Sequence, residues 1–183
     1  MEKLLRANKM EVQLASAPLT PEELVDIYSD IVYRFCRKLT YSKEDAEDLF
    51  QETFLKVFEQ LPKVNSCGST KNFIFSTALF LWKSSKRKYA RRNRLAPVQP
   101  LSEEIVSDTG VEDGILAQED IRLVRQLTAA LPEKYKVPTI LHYTAEMSLQ
   151  DIATTLKIPV GTVKSRLHKA RKIIEKGLIG FEK

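Results

Sequence analysis

The side chains best suited to chemistry lie near the carboxyl end of the chain, on one face of a predicted helix. Lys164, Ser165, His168 and Lys169 stand at offsets of 0, 1, 4 and 5, a spacing that puts them on one side of a helix. Lysine donates hydrogen bonds to guanine acceptors in a DNA major groove, and serine or histidine bonds other base edges. This face therefore favours recognition of nucleic-acid bases over the making or breaking of bonds.

The surrounding pattern indicates a helix-turn-helix rather than an ordinary solvated basic face. The same helix has an inward face, with apolar residues at offsets of 0, 4, 7 and 11: Val163, Leu167, Ala170 and Ile174. A shorter helix with a predicted cap at Ser148 precedes it, and the two are separated by a turn over Lys157–Gly161. A helix, a short turn and a basic helix form a DNA-reading unit. Arg166 and Arg171 flank the basic face and suit phosphate contacts.

A second basic segment lies in the middle of the chain. Lys83–Arg94 holds seven basic residues and no acid. It directly follows an aromatic-rich helix that contains Phe73, Phe75, Phe80 and Trp82. Basic residues beside aromatic ones suit neutralisation of a nucleic-acid backbone together with stacking on unpaired bases. The alternative that each aromatic ring belongs to the core stays open.

Acidic residues are concentrated in two other segments. Glu44–Glu59 has six acidic residues and one lysine; DNA would repel this helix, so its partner is a protein or plain solvent. Leu95–Gly114 has five acidic residues, no basic one, two prolines and two glycines, which predicts a linker without regular structure. We therefore expect four segments: a tail over 1–19, a first domain over 20–94, a flexible acidic linker over 95–114 and a second domain over 115–183.

Helical periodicity and capping residues run through both expected domains. Thr20 with Glu23 forms a capping box, and Ser42 repeats the capping pattern before the acidic helix. The stretch Lys63–Lys71 is expected to be a loop, followed by a helix from about Asn72. Alternating strand patterns are absent from the sequence. The predicted fold class is all-α, with two small helical domains joined by the linker.

Composition excludes several function classes. The chain has 183 residues, a net charge of +5, two cysteines and two histidines, and it lacks the CxxC, HExxH, GxSxG, GxGxxG and GxxxxGK[ST] motifs. We therefore expect no enzymatic activity, no metal and no cofactor. No apolar run approaches the roughly 18 residues of a membrane span, and the charged N-terminus does not suggest a secretory signal. These features predict a cytoplasmic protein without membrane insertion.

Three motifs resemble those of a known family. Residues 45–54 read DAEDLFQETF, residues 131–135 read LPEKY, and residues 158–171 read IPVGTVKSRLHKAR. In this order and spacing they resemble the extracytoplasmic-function (ECF) group of bacterial sigma-70 RNA polymerase sigma factors, which keeps only regions 2 and 4. The resemblance covers roughly residues 24–176. It implies a sigma factor that binds core RNA polymerase, directs it to promoters and promotes DNA melting, under the control of an anti-sigma factor.

The resemblance also implies partners and sites. The acidic helix would dock on the clamp coiled coil of the polymerase's largest subunit, and the chain would also contact the flap of the second-largest subunit. The implied polymerase-binding residues are Asp45, Glu47, Asp48, Leu49, Gln51, Glu52 and Phe54. Those for the −10 element are Asn72, Phe75, Trp82, Lys83, Lys86, Arg87 and Lys88. Those for the −35 element are Thr162, Lys164, Ser165, Arg166, His168, Lys169 and Arg171.

Two departures from the family pattern keep alternatives open. Phe80 and Ser84 stand where family members often carry an asparagine and an aspartate. This leaves a sigma-like protein that binds polymerase without opening DNA as one alternative. A freestanding helix-turn-helix regulator is the other, although it leaves residues 45–54 and the aromatic-basic segment without a role.

Promoter geometry adds one expectation. Elements about 25 base pairs apart are separated by about 85 Å of B-DNA, whereas a 20-residue linker spans at most about 70 Å. A flexible linker cannot fix the spacing of the two domains, so the polymerase must do so. We therefore expect weaker promoter binding by the free protein than by the holoenzyme.

Overall fold

The structure, a computed structural model, describes residues 19–66, 68–95 and 115–181. In these ranges the chain forms eight helices and no strand, as the sequence predicts. They are α1 (Pro21–Leu39), α2 (Lys43–Glu59), α3 (Leu61–Ser66), α4 (Thr70–Leu95), α5 (Ile115–Ala129), α6 (Glu133–Tyr143), α7 (Leu149–Leu156) and α8 (Val160–Phe181). The predicted tail up to residue 18, Cys67 and linker residues 96–114 lie outside the described residues.

The predicted caps begin the helices where the sequence places them. The Thr20 hydroxyl accepts a hydrogen bond from the Glu23 backbone N–H, and the Glu23 carboxylate accepts one from the Thr20 N–H at 2.9 Å. Ser42 accepts from the Asp45 N–H at 3.0 Å and so begins α2. Each cap satisfies a backbone donor that the first turn of a helix leaves unpaired.

The predicted loop over Lys63–Lys71 is wrong over much of its length. Residues 61–66 form α3, and α4 has already begun at Thr70. Pro62 ends the pattern of α2 but sits in the first turn of α3, where the fixed φ of proline suits a helix and its missing N–H costs nothing. The Asn65 side chain then holds α3 against the start of α1, by hydrogen bonds of 2.9 and 3.2 Å to the backbone of Leu19.

Helices α1 to α4 form an N-terminal module around aromatic residues. Helix α2 packs on both α1 and α4, and α1 also contacts α4. Phe35 of α1 meets Phe75 of α4 edge to face, with ring centroids 4.9 Å apart. Both rings are fully buried, so this pair lies at the centre of the module.

Helices α5 to α8 form a C-terminal module around α8. Helices α5, α6 and α7 all pack against α8. The predicted inward face is confirmed, because Val163, Leu167 and Ala170 are buried and Ile174 is half-buried. Side chains from both modules also belong to one continuous cluster of buried residues, since α7 packs on α4 and α6 packs on α1.

Cys36 provides a test of the packing of α1. Its side chain is fully buried, and burial raises the pKa of the thiol to about 12. Three pKa units lower the thiolate fraction near neutral pH about a thousandfold, and the thiolate is the reactive form. We therefore expect iodoacetamide at pH 8 to alkylate Cys36 at least a hundredfold more slowly in the native chain than in guanidinium, as measured by peptide mass spectrometry. Equal rates in the two conditions would contradict the buried position.

Candidate functional site

Helix α8 presents the predicted base-reading face to solvent. Lys164, Ser165, His168 and Lys169 are all exposed, while Thr162 is half-buried in the first turn. The Ser165 hydroxyl donates to the Thr162 carbonyl at 3.0 Å. Because the opposite face is packed in the core, the fold leaves these four side chains free to enter a groove.

The turn before α8 sets the angle between the two helices of the unit. The Ser148 hydroxyl accepts from the Asp151 N–H at 3.1 Å and begins α7. Lys157 ends α7 in the left-handed conformation, with φ of 54°, a conformation that helix ends commonly adopt. The Ile158 N–H then donates back to the Ala153 carbonyl at 3.0 Å. This arrangement confirms the helix-turn-helix that the sequence predicts.

The two arginines that flank the basic face of α8 differ in their exposure to solvent. Arg171 is exposed, and its Nε donates to the Tyr143 hydroxyl at 2.8 Å. Arg166 is half-buried. Among the described residues, no carboxylate lies within ion-pair distance of Lys164 or Lys169, so their charges are available to an anionic partner.

Helix α4 divides the predicted −10 residues between its two faces. Lys83, Lys86, Arg87 and Lys88 are exposed, as expected of phosphate-binding side chains. Phe75 is 0% exposed and Trp82 only 8% exposed. Neither ring can stack on a base in this conformation, so both support the helix from within the core. Their spacing of seven residues, with Ala78 between them, is the core periodicity that the aromatic-basic interpretation overlooked.

Phe80 is the aromatic residue of this segment that faces solvent. It is 65% exposed, and helical spacing of three and seven residues places it on the same side as Lys83 and Arg87. The sequence singled out Phe80 only as a departure from the family pattern. Its exposure shows an aromatic ring and two cations on one open face of α4.

Two of the predicted −10 residues are engaged within the chain. The Asn72 Nδ2 donates to an Asp151 carboxylate oxygen at 2.9 Å. The Lys86 ammonium lies 2.7 Å from a Glu133 oxygen and 4.7 Å from the centre of the Trp82 ring. In this conformation, therefore, the Asn72 amide NH2 group and the Lys86 ammonium each already have an acidic partner within the chain.

Helix α2 presents the acidic face predicted to bind polymerase. Asp45, Asp48, Gln51 and Glu52 are exposed. The half-buried Glu47 lies 3.7 Å from Lys43. Two of the seven predicted residues, Leu49 and Phe54, are buried in the core, where they hold the helix in place rather than touch a partner.

The acidic face also contains an apolar residue that the sequence reasoning missed. Leu55 is 61% exposed and lies three, four and seven residues after Glu52, Gln51 and Asp48, which puts it on the same face of α2. That spacing was the available signal. Exposed leucine within an acidic rim is the composition of a protein-binding surface, with an apolar centre and a polar border.

Membrane spans and metal-binding clusters are both absent from the described residues. None of the helices that the structure describes is both long and apolar enough to cross a membrane. In the same ranges, no three histidine, cysteine or acidic side chains come together in a way that would hold a metal ion. The candidate sites among the described residues are the exposed charged faces of α2, α4 and α8.

Comparisons with known proteins identify the family of the chain. Residues 24–92 match the family model for sigma-70 region 2, and residues 121–174 match that for sigma-70 region 4. The ECF RNA polymerase sigma factor SigW of Bacillus subtilis is 34% identical over 164 residues, which cover 85% of this chain and 87% of SigW. SigE of Mycolicibacterium smegmatis, also an ECF sigma factor, is 30% identical over 82% of this chain and 58% of its own length.

A solved structure shows the same fold. The sigma factor RpoE of Bartonella quintana, crystallised with the anti-sigma factor NepR, superimposes with a TM-score of 0.72 at 23% identity. The superposition covers 86% of this chain and 94% of RpoE. The superposition shows the shared fold. The two matched regions and the identity to SigW show that the chain belongs to the ECF group of the sigma-70 family of RNA polymerase sigma factors.

Proposed function

We propose that this sigma factor docks on core RNA polymerase through α2 and reads the two promoter elements through α4 and α8. The observation that carries the proposal is the division of exposed charge: two basic helices and one acidic face stand on a single chain. DNA attracts the first two and repels the third, so a polymerase and a promoter together account for all three. The division into residues 20–94 for region 2, 95–114 for a linker and 115–183 for region 4 is part of the proposal.

The acidic face of α2 suits a basic protein surface. Asp48 and Glu52 lie beside the exposed Leu55, so a partner would bury an apolar side chain within a ring of complementary charges. Such complementarity steers association and fixes its register. By family resemblance, this partner is the clamp coiled coil of the largest polymerase subunit.

The exposed face of α4 suits a melted −10 element. Extracting a base from the stack costs a few kcal/mol, which a stacking surface must repay. Phe80 offers such a surface, while Lys83 and Arg87 stand beside it to neutralise phosphates. In this proposal Phe80 replaces the buried Phe75 and Trp82 as the ring that meets DNA.

The exposed face of α8 suits the −35 element in duplex form. Lys164, Ser165, His168 and Lys169 would contact base edges in the major groove, and Arg166 and Arg171 would contact phosphates. Thr162 at the first turn would join the phosphate contacts. In this proposal the middle of α8 reads the base sequence, and the residues on its flanks position the helix on the DNA.

Control by an anti-sigma factor completes the proposal. The structural neighbour RpoE was crystallised with such a partner, and a protein of this family acts where RNA polymerase acts, in the cytoplasm. A partner that covers α2 would block docking on the polymerase.

Run-off transcription with purified core polymerase tests the proposed docking face. We expect the wild-type chain to direct new start sites. Asp48→Lys should weaken binding to core about tenfold or more, because like charges would then meet across the interface. Binding is measured by fluorescence anisotropy and initiation by run-off yield from the same preparations.

The matched control for this variant is Asp26→Lys, which makes the same charge change at an exposed position of α1. It should bind core within twofold of the wild type. An equal loss in both variants would point to net charge rather than to the face of α2. Absence of core binding by the wild-type chain would refute the function itself.

Base reading by α8 predicts a position-dependent effect of Lys164→Ala. A side chain that bonds a base edge contributes about 1–3 kcal/mol of discrimination. Holoenzyme carrying Lys164→Ala should therefore lose about 5- to 150-fold in affinity for its own promoter and lose preference at one base pair of the −35 element. The measurement is promoter binding across single-base substitutions, with Lys176→Ala, in the exposed last part of α8, as the control. A uniform loss at every sequence would instead assign Lys164 to a phosphate.

A further inference from the structure

We propose that Tyr143, the last residue of α6, is a positioning residue for DNA binding, whose hydroxyl holds the guanidinium of Arg171 toward a phosphate of the −35 element. Tyr143 lies outside the base-reading face of α8 and outside the motifs that resemble the family. The inference rests on the proposed function, because it concerns how α8 engages duplex DNA. It extends the DNA-binding machinery from α8 to the end of α6.

The first observation is the hydrogen bond between the two side chains. The Arg171 Nε donates to the Tyr143 hydroxyl at 2.8 Å, across 28 residues of sequence. A guanidinium has four further N–H donors on its two terminal nitrogens, and none of the ion pairs among the described residues involves Arg171. The group is therefore held at Nε, while its outer edge is open to an acceptor with two oxygens, such as a phosphate.

The second observation is that Tyr143 is itself held in place. Its side chain is 55% exposed, yet its ring meets the His142 ring edge to face, with centroids 4.8 Å apart. The His142 Nδ1 lies 3.3 Å from the carbonyl oxygen of the buried Met147. Helix α6 also packs directly on α8. An exposed tyrosine with a fixed ring thus stands beside α8, where its hydroxyl can restrain a longer side chain.

The third observation is the position of Arg171 along α8. It follows Lys164 by seven residues and His168 by three, which places it on the same edge of the helix as these two base-reading residues. Seven residues of α-helix span about 10 Å, close to the major-groove width of about 12 Å. Since a recognition helix contacts bases with its N-terminal residues, a side chain farther along that edge reaches the groove wall, where the phosphates lie.

The hydrogen bond gives the tyrosine a specific effect on binding. Ordering a long, flexible side chain at an interface opposes association. Because Tyr143 already restrains Arg171 in the free protein, less conformational freedom is lost when DNA binds. The arrangement also needs arginine, since Arg171→Lys would keep the positive charge but lose the Nε donor.

A double-mutant cycle tests the proposal. Tyr143→Phe removes only the hydroxyl, and it should weaken promoter binding by the holoenzyme about three- to tenfold. The loss should be equal for every −35 sequence, because phosphate contacts do not carry sequence information directly. In an Arg171→Lys background the same substitution should change affinity less than twofold, because no Nε donor is left for the hydroxyl to hold.

Two further variants accompany the cycle. Tyr41→Phe is the matched control, since it makes the same change at a 78% exposed tyrosine between α1 and α2, and it should bind promoter within twofold of the wild type. Arg171→Ala should lower the slope of log affinity against log salt by about one, as expected for one lost phosphate contact. An equal loss from Tyr143→Phe in both backgrounds would overturn the proposal, and so would a loss confined to one base pair.

Proton exchange measured by nuclear magnetic resonance tests the geometry without DNA. In the free full-length chain, the Nε–H of Arg171, identified by its loss in Arg171→Lys, should exchange with water several-fold more slowly than in Tyr143→Phe. Circular dichroism verifies that the variants fold. Equal exchange rates would overturn the restraint.

The two levels of the proposal fail in different ways. Wild-type holoenzyme whose promoter binding does not depend on the −35 element would overturn the proposed function of α8, and the role of Tyr143 with it. Normal −35-dependent binding by the wild type, together with an undiminished affinity in Tyr143→Phe, would overturn the positioning role alone.

Discussion

The packing of α7 between α4 and α8 is the contact on which the arrangement of the chain depends. With eight residues, α7 is far shorter than a helix that is stable by itself. Its cap at Ser148 and its buried Ile152 and Ala153 hold it in place. Helix α8, in which Val163 and Leu167 are buried, packs on α7, and α4 meets α7 beside Asn72. One short helix therefore fixes the angle of the base-reading face and the position of the two modules.

The separation of basic and acidic residues onto different helices relates this packing to the proposed function. The same helices that bury apolar stripes point lysines and arginines outward on α4 and α8, and carboxylates outward on α2. The sign of the charge on each face therefore attracts one kind of partner before the two surfaces come into contact. Leu55 within the acidic face and Phe80 within the basic face of α4 add an apolar group to each, so that contact gains energy from burial as well as from charge.

Local patterns in the sequence predicted most of the fold. Capping residues and apolar spacing gave the helix starts at Pro21, Lys43 and Leu149, and the inward stripe of α8. They failed at Pro62, because proline is compatible with the first turn of a new helix as well as with the end of an old one. They also failed at Phe75 and Trp82, where neighbouring basic residues outweighed a helical spacing that indicated the core. The pair of Asn72 and Asp151 left no local signal, since a polar contact across 79 residues depends on tertiary packing.

Lys86 takes part in both the fold and the proposed function. Its ammonium lies over the Trp82 ring and pairs with Glu133 in the structure, and it would bind a DNA phosphate in the proposed function. The Glu133 carboxylate offers Lys86 the same kind of charged acceptor oxygens that a DNA phosphate would offer. Exchange of one anion for the other involves little change in electrostatic energy at this exposed site. In the proposed function, a DNA phosphate can therefore replace Glu133 at Lys86, and the neighbouring Phe80, Lys83 and Arg87 would add contacts that favour this exchange.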